Sequence, residues 1–201
     1  ASPRPFRIKF VIRAFIAADL DDPVIDKICS VGEILKSRIT EIRWLRKENL
    51  HLTLKFLGNI AESQVEPIAT ALRHPLGLFS PCTISAKGLG VFPDFRRTKI
   101  LWVGLTGNRL VQLAAEIESA LMPLGFTPEN RAFTPHLTIG RWREGNRPAK
   151  NLRQEIDSLN DFEFGACAVR QIVLFQSVLK PEGASYRELR TIQLGAELAS
   201  D

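Results

Sequence analysis

Asn49-Leu50-His51-Leu52-Thr53-Leu54-Lys55-Phe56 is the stretch on which the fold turns, because its centre returns downstream in Pro135-His136-Leu137-Thr138-Ile139-Gly140-Arg141. Both segments read as strands. Side chains alternate faces along a strand, which puts His51, Thr53 and Lys55 on one face and Leu50, Leu52, Leu54 and Phe56 on the other. In the second segment His136 and Thr138 share a face, and Leu137 and Ile139 take the opposite one. The chain has three histidines, and two of them fall in this pattern. Random placement at this composition yields two such matches roughly a few times in ten thousand. A single His on a mixed strand is more often a hydrogen-bonded structural residue than a catalyst. The duplication reverses that preference.

With 201 residues, 45% of them apolar, the chain makes one large domain or two small lobes with a sizeable core. No apolar run is long enough to cross a bilayer, and Arg13 interrupts the N-terminal apolar stretch before a signal-peptide core is reached. Cys29, Cys82 and Cys167 are widely spaced and form no C-x-x-C, so they read as small buried apolar residues in a reducing compartment. A cytoplasmic protein with no membrane partner is expected. The net charge of +5 suits an anionic partner such as RNA, but an excess of this size is also common in proteins that bind none.

Outward from the motifs, Arg13 to Leu20 reads as a buried strand, with residues 1–12 as an N-terminal extension to a single bilobal domain, 13–201. Asp22 then caps a helix with Pro23 at its first position and Val24, Ile28, Val31 and Leu35 as its apolar stripe. Ile42 to Leu45 is a short extended segment. After the first motif, Ser63 and Glu66 have capping-box spacing for a helix carrying Val65, Ile68, Ala69 and Leu72, with His74-Pro75 just past its end. His74 has no Thr companion and reads as a surface or cap residue. Thr83 to Lys87 and Lys99 to Leu105 read as strands joined by a loop, Gly88 to Arg97. The loop's Phe92, Phe95, Arg96 and Arg97 suit an RNA backbone and a stacked base. A solvated loop with aromatics tucked into the core is at least as good a reading. Asn108 caps a helix with Leu110, Leu113, Ile117 and Leu121, ended by Pro123 and Gly125. Asn146 and Pro148 open another helix, and Gln171 to Val178 and Tyr186 to Leu194 form a hairpin around Lys180 to Gly183. The two motif strands fall in successive halves, each followed by a helix. The expected architecture is α+β and bilobal: two pseudo-symmetric lobes, each with an antiparallel-rich sheet and flanking helices, and a catalytic cleft between them.

Two facing imidazoles suit acid–base catalysis near neutral pH, one neutral to take a proton and one cationic to give one. The Thr53 and Thr138 hydroxyls can donate to non-bridging oxygens of a phosphate whose charge grows in the transition state. Arg141 can add a bidentate contact. Strict alternation, however, puts Arg141 opposite His136, so its participation needs a twist or bulge at Gly140. No phosphate-binding loop, Rossmann fingerprint, His-Glu-x-x-His or nucleophile elbow is present. Two histidines without a neighbouring carboxylate make a poor metal site, so neither a metal nor another cofactor is expected.

The two His-Leu-Thr motifs, Arg13-Ala14-Phe15-Ile16-Ala17, Leu54-Lys55-Phe56-Leu57-Gly58, and Phe133 to Arg141 resemble the 2H phosphoesterase superfamily. Within it they are similar to the RNA 2′,3′-cyclic phosphodiesterases, also called 2′–5′ RNA ligases. Leu174-Phe175-Gln176-Ser177 through Pro181, Gly183 and Tyr186 matches that branch as well. The resemblance implies a metal-free opening of an RNA 2′,3′-cyclic phosphate to a 2′-phosphomonoester. It casts His51 as proton donor to the departing 3′ oxygen and His136 as acceptor from water, with Thr53, Thr138 and Arg141 on the phosphate. It implies RNA ends as partner, tRNA fragments among them, a monomeric enzyme, and a reverse 2′–5′ joining reaction with acid and base exchanged. Two rivals stay open: a related enzyme acting on a small cyclic phosphate such as a nucleotide or ADP-ribose derivative, and a non-catalytic module that binds RNA ends. Turnover separates them.

Overall fold

The computed structural model describes residues 10–40, 42–143, 145, 148, 150–181 and 183–196. Its strands are β1 (Val11–Ala18), β2 (Ile42–Trp44), β3 (Leu52–Ala61), β4 (Cys82–Phe92), β5 (Ile100–Thr106), β6 (His136–Trp142), β7 (Glu163–Val169), β8 (Gln171–Lys180) and β9 (Gly183–Gln193). The helices are α1 (Asp22–Lys36), α2 (Val65–Gly77), α3 (Leu110–Leu121) and α4 (Leu152–Asp157). All the strands join one curled sheet in the order β7-β4-β5-β6-β3-β1-β8-β9, with β2 paired on β6, and every pairing is antiparallel.

The middle of that order is the junction of the two motif strands. β3 and β6 meet at a single pair, Leu52 opposite Leu137. On one side lie β3, β1, β8 and β9, and on the other β6, β5, β4 and β7, which gives the expected α+β architecture of two repeated halves. The lobes are not successive halves of the chain, though: the C-terminal hairpin β8–β9 completes the lobe begun by β1 and β3. Helices cross over as well. α1, leaving β1, packs against β7 of the other lobe, while α3, leaving β5, packs against β3 and α2. Each lobe is therefore roofed in part by a helix whose preceding strand lies in the other, which binds them into one unit.

The helices cover the face to which Leu52 and Leu137 point, and both leucines are fully buried there in the main core. In α1 the expected Val24, Ile28 and Leu35 are buried, whereas Val31 is half-buried. Its cap residue is Asp21 rather than Asp22, and makes no side-chain cap bond. The Ser63–Glu66 capping box does not form. A 3-10 turn, Glu62–Gln64, stands in its place, and the Ala61 N–H donates to Gln64 Oε1 at 2.9 Å. α2 then runs through Pro75 instead of stopping before it. In the last turn a proline removes one backbone bond, and the full burial of Leu72 and Leu76 holds the helix together. His74 is exposed, as expected. The cap of α3 is Arg109, not Asn108, and the chain leaves the following 3-10 turn through Gly125 at φ 85°. α4 begins after Asn151; the expected opening at Asn146 lies outside the described residues. β1 starts at Val11, two residues before Arg13, and residues 1–9 of the expected extension lie outside the described residues.

Two strand assignments change. The segment expected as a loop from Gly88 belongs to β4 as far as Phe92. Gly88, at φ 68°, is the extra residue of a bulge between Lys87 and Leu89, and the strand resumes beyond it. β7 was not foreseen: Glu-Phe-Gly-Ala-Cys-Ala-Val lacks apolar alternation, and it owes its conformation to pairing with β4.

β3 itself departs from strict alternation. Ala17 pairs with Thr53 and Ile16 with Lys55, so Leu54 is an extra residue and the faces invert beyond it. Lys55 consequently points to the helix side, with its side chain 2% exposed, where Nζ lies 2.5 Å from Glu118 Oε2 of α3 and 3.1 Å from the Thr127 carbonyl. Phe56 emerges on the opposite, helix-free face, 58% exposed. The expected faces of these two residues are exchanged.

Candidate active site

On either side of the Leu52–Leu137 pair, the neighbouring residues must point away from the helices. Continuing the antiparallel register by one step sets Thr138 across from His51 and His136 across from Thr53. The four motif side chains thus meet on one face, related by a local two-fold through the leucine pair, and all four are half-buried. Each histidine faces the threonine of the other motif.

His51 is set by its surroundings on three strands. Its ring stacks on Phe15 of β1 at 4.9 Å between centroids, meets Tyr186 of β9 edge-on at 5.0 Å, and lies 6.0 Å from Phe175 of β8. Phe15, Ala17, Val173 and Phe175 form a small apolar cluster on this face, separate from the main core, with Tyr186 against it. The ring also hydrogen-bonds the backbone of Asn49. Asn49 is buried, and its Nδ2 donates to the Ala184 carbonyl at 2.9 Å, so one residue orients the imidazole and fastens β9 beside it.

His136 has a matching environment. Its Nδ1–H donates to the Thr134 carbonyl at 2.7 Å, which leaves Nε2 as the lone-pair nitrogen of the neutral ring. Phe92 meets it edge-on at 4.9 Å, and Trp102 lies 6.3 Å away. Trp102 pairs with Gly90 of β4 and with Thr138 of β6. The indole lies over Gly90, where a Cβ would overlap its ring atoms, and a Cβ on Gly104 would approach it to 3.5 Å.

Arg141 reaches the site by the device that alternation alone would forbid. Trp102 pairs with Thr138 but Leu101 with Gly140, so Ile139 is an extra residue in β6. The bulge moves Gly140 to the buried side and leaves Arg141 exposed on the face of His136. Gly140 is required there, since a Cβ would run into Ile42 of β2. The guanidinium charge is felt by both histidines.

Both imidazoles bind protons weakly. Burial, then the charge of Arg141, brings His51 down to about 4, against a smaller opposing pull from the Asn49 backbone. Burial also lowers His136; the Thr134 carbonyl opposes this and Arg141 adds to it. Both rings are therefore neutral at pH 7 in the free protein. His51, the expected proton donor, is thus the neutral base form in the free protein. A phosphate between the rings would offset Arg141 and favour the imidazolium.

The sequence did not single out Phe15, Trp102, Phe175 or Tyr186 as site residues, nor Arg43, which stands across from Arg141 in the β2–β6 register with its guanidinium packed against Gly183. The available signal was parity: Phe15 and Ala17 alternate with buried core residues in β1, and Tyr186 belongs to the hairpin. In the basic aromatic segment, Phe92 lies beside His136 on β4 rather than in a loop. Phe95 packs against the core with Arg153 5.0 Å from its ring centre, and Asp94 accepts from the Arg96 and Arg97 amides at 2.8 and 2.9 Å. Among the described residues no group of three His, Cys, Asp or Glu side chains is placed to hold a metal ion. No helix in that range is long and apolar enough to cross a membrane.

Similarities to known proteins follow the same two-fold. A "LigT like Phosphoesterase" family signature matches twice, over residues 19–102 and 103–186. An RNA 2′,3′-cyclic phosphodiesterase of Methanothermobacter thermautotrophicus is 34% identical over 184 residues, covering 91% of this chain and 99% of that protein. One from Methanocaldococcus jannaschii is 34% identical over 179 residues, with 89% and 99% covered. Among solved structures, a protein of Thermus thermophilus superposes with a TM-score of 0.76 at 24% identity, over 92% of this chain and all of that one. Apo LigT of Escherichia coli gives 0.70 at 23% identity, over 92% and 98%. A motif pair joined at one leucine bridge, and a family match that repeats once per motif, lead to one conclusion: this chain belongs to the LigT-like phosphoesterases of the 2H superfamily.

Proposed function

We propose that the protein hydrolyses RNA 2′,3′-cyclic phosphate ends to 2′-phosphomonoesters without a metal ion, using His51 and His136 as an acid–base pair. One observation carries this reading. The Leu52–Leu137 bridge gathers two imidazoles and two threonine hydroxyls on one face, with a bulge delivering Arg141 to them. In the proposed step His136 Nε2 takes a proton from water as the water oxygen bonds to phosphorus. The bond from phosphorus to the 3′ oxygen breaks, and that oxygen takes a proton from His51. Thr53, Thr138 and Arg141 hold the non-bridging oxygens, where negative charge gathers. The tautomer fixed by Thr134 favours His136 as base. The donor role of His51 requires proton uptake with the substrate, because its proton affinity in the free protein is low.

The names of the archaeal relatives, which align along nearly their whole length, support the substrate. One chain supplies both motifs, which suits a monomer, and RNA ends, tRNA fragments included, suit the net charge of +5. Three unpaired cysteines, two of them buried, suit the reducing cytoplasm. The test is incubation with a 2′,3′-cyclic-phosphate RNA in excess EDTA, with the position of the product phosphate read chromatographically. A 2′-phosphate is expected. Failure on RNA with turnover of a small cyclic phosphate would move the assignment to that substrate class, and failure on both would leave a binding module.

A further inference from the structure

The sharpest departure from the ordinary inside–outside rule lies on β3, just beyond Thr53. The bulge at Leu54 turns Lys55 into the interior, where Glu118 must neutralise it, and turns Phe56 outward. A buried charge beside an exposed large aromatic is the informative combination, since either placement alone opposes burial preferences. A second bulge, at Leu57, restores Asn59 to the same open face, across from Arg13.

Phe56 is continuous with the site. Its ring lies 6.3 Å from Phe15, which stacks on His51 at 4.9 Å. Arg13 shares that face: on β1 it is two residues from Phe15, about 7 Å along the strand, and the β1–β8 register is unbroken between Phe15–Phe175 and Arg13–Ser177. Arg13 is exposed and makes no hydrogen bond or ion pair among the described residues. An exposed ring with an uncommitted guanidinium beside it, both on a rigid sheet, matches the composition of a single-strand RNA track: the ring stacks a base and the cation meets a phosphate. Phe15 contacts both rings, at 4.9 Å from His51 and 6.3 Å from Phe56, so a base on Phe56 would lie next to whatever occupies the histidine site.

We propose that Phe56 and Arg13 form a subsite for the nucleotide on the 5′ side of the cyclic-phosphate end, with its base on Phe56 and its phosphate on Arg13. The protein then favours oligonucleotide ends over mononucleotides. This inference rests on the cyclic-phosphate activity proposed above. It is tested by kcat/KM on a nucleoside 2′,3′-cyclic phosphate and on a dinucleotide ending in the same group. Phe56→Ala and Arg13→Ala are each expected to lower the dinucleotide value about tenfold or more, with the mononucleotide value within about twofold of wild type. Phe56→Leu, which keeps apolar bulk without a ring, should behave like Phe56→Ala. Arg13→Ala should reduce the salt slope of dinucleotide binding by about 0.7. Equal losses on both substrates, or no loss on either, would overturn the subsite. A wild type that turns over neither substrate overturns the activity instead; binding of an RNA dinucleotide 2′-phosphate, compared between wild type and variants, then decides the subsite.

Discussion

Lowering the pH should unfold this protein partly through His51, and replacing His51 with glutamine should remove that part. Glutamine can still donate to the Asn49 carbonyl but does not titrate. At pH 7.5 the imidazole is neutral in folded and unfolded chains alike. At pH 4.5 the unfolded histidine, with its ordinary value of 6.5, is almost fully protonated, whereas the folded one, at about 4, is protonated about a quarter of the time. The unfolded state binds more protons, so stability falls as pH falls from about 6.5 towards 4. Each tenfold difference in proton affinity is worth about 1.4 kcal/mol, which makes the His51 share of the loss between pH 7.5 and 4.5 about 2–3 kcal/mol. Urea unfolding at the two pH values, in wild type and His51→Gln, isolates this share because His136 and the carboxylates titrate in both proteins. Wild type should lose about 2–3 kcal/mol more than the variant. Parallel losses, equal within about 0.5 kcal/mol, would refute the half-buried, Arg141-opposed imidazole.

Sulfate, which does not titrate in this range, should bind with net uptake of a proton near pH 6, seen as a dependence of the calorimetric heat on buffer ionisation enthalpy; no uptake would contradict the activation of His51 by an anion. Glu118→Leu should cost about 3–5 kcal/mol by stranding the buried Lys55 charge, while adding Lys55→Met to it should recover most of the loss. Additive losses in that double-mutant cycle, measured by urea unfolding, would show that the pair does not interact. Gly90→Ala should destabilise by about 1–3 kcal/mol, because the new methyl overlaps the Trp102 indole; an unchanged Tm would mean the ring moves freely.

The fold and the four motif residues were legible because each motif strand keeps simple alternation over the residues that matter. His51-Leu52-Thr53 and His136-Leu137-Thr138 alternate without interruption, and the apolar stripes of α1 and α3 have plain helical spacing. What could not be read is where a strand gains a residue. The extra Leu54, Leu57, Gly88 and Ile139 become visible only against a partner strand, yet they decide that Lys55 goes inside, Phe56 outside and Arg141 to the site. The same applies to β7, whose conformation comes from β4, and to the crossing of α1 and α3 between lobes. Pro75 misled because local propensity ends a helix that tertiary burial of Leu76 sustains.

The most direct test of the acid–base pair is the pH–rate profile for a 2′,3′-cyclic-phosphate RNA, in EDTA, of wild type, His51→Ala and His136→Ala. A bell-shaped wild-type profile is predicted, with turnover lowered by a factor on the order of hundreds or more in each variant and one limb lost from whatever rate survives. A flat wild-type profile, or wild-type turnover in either variant, would contradict the pairing of the two histidines.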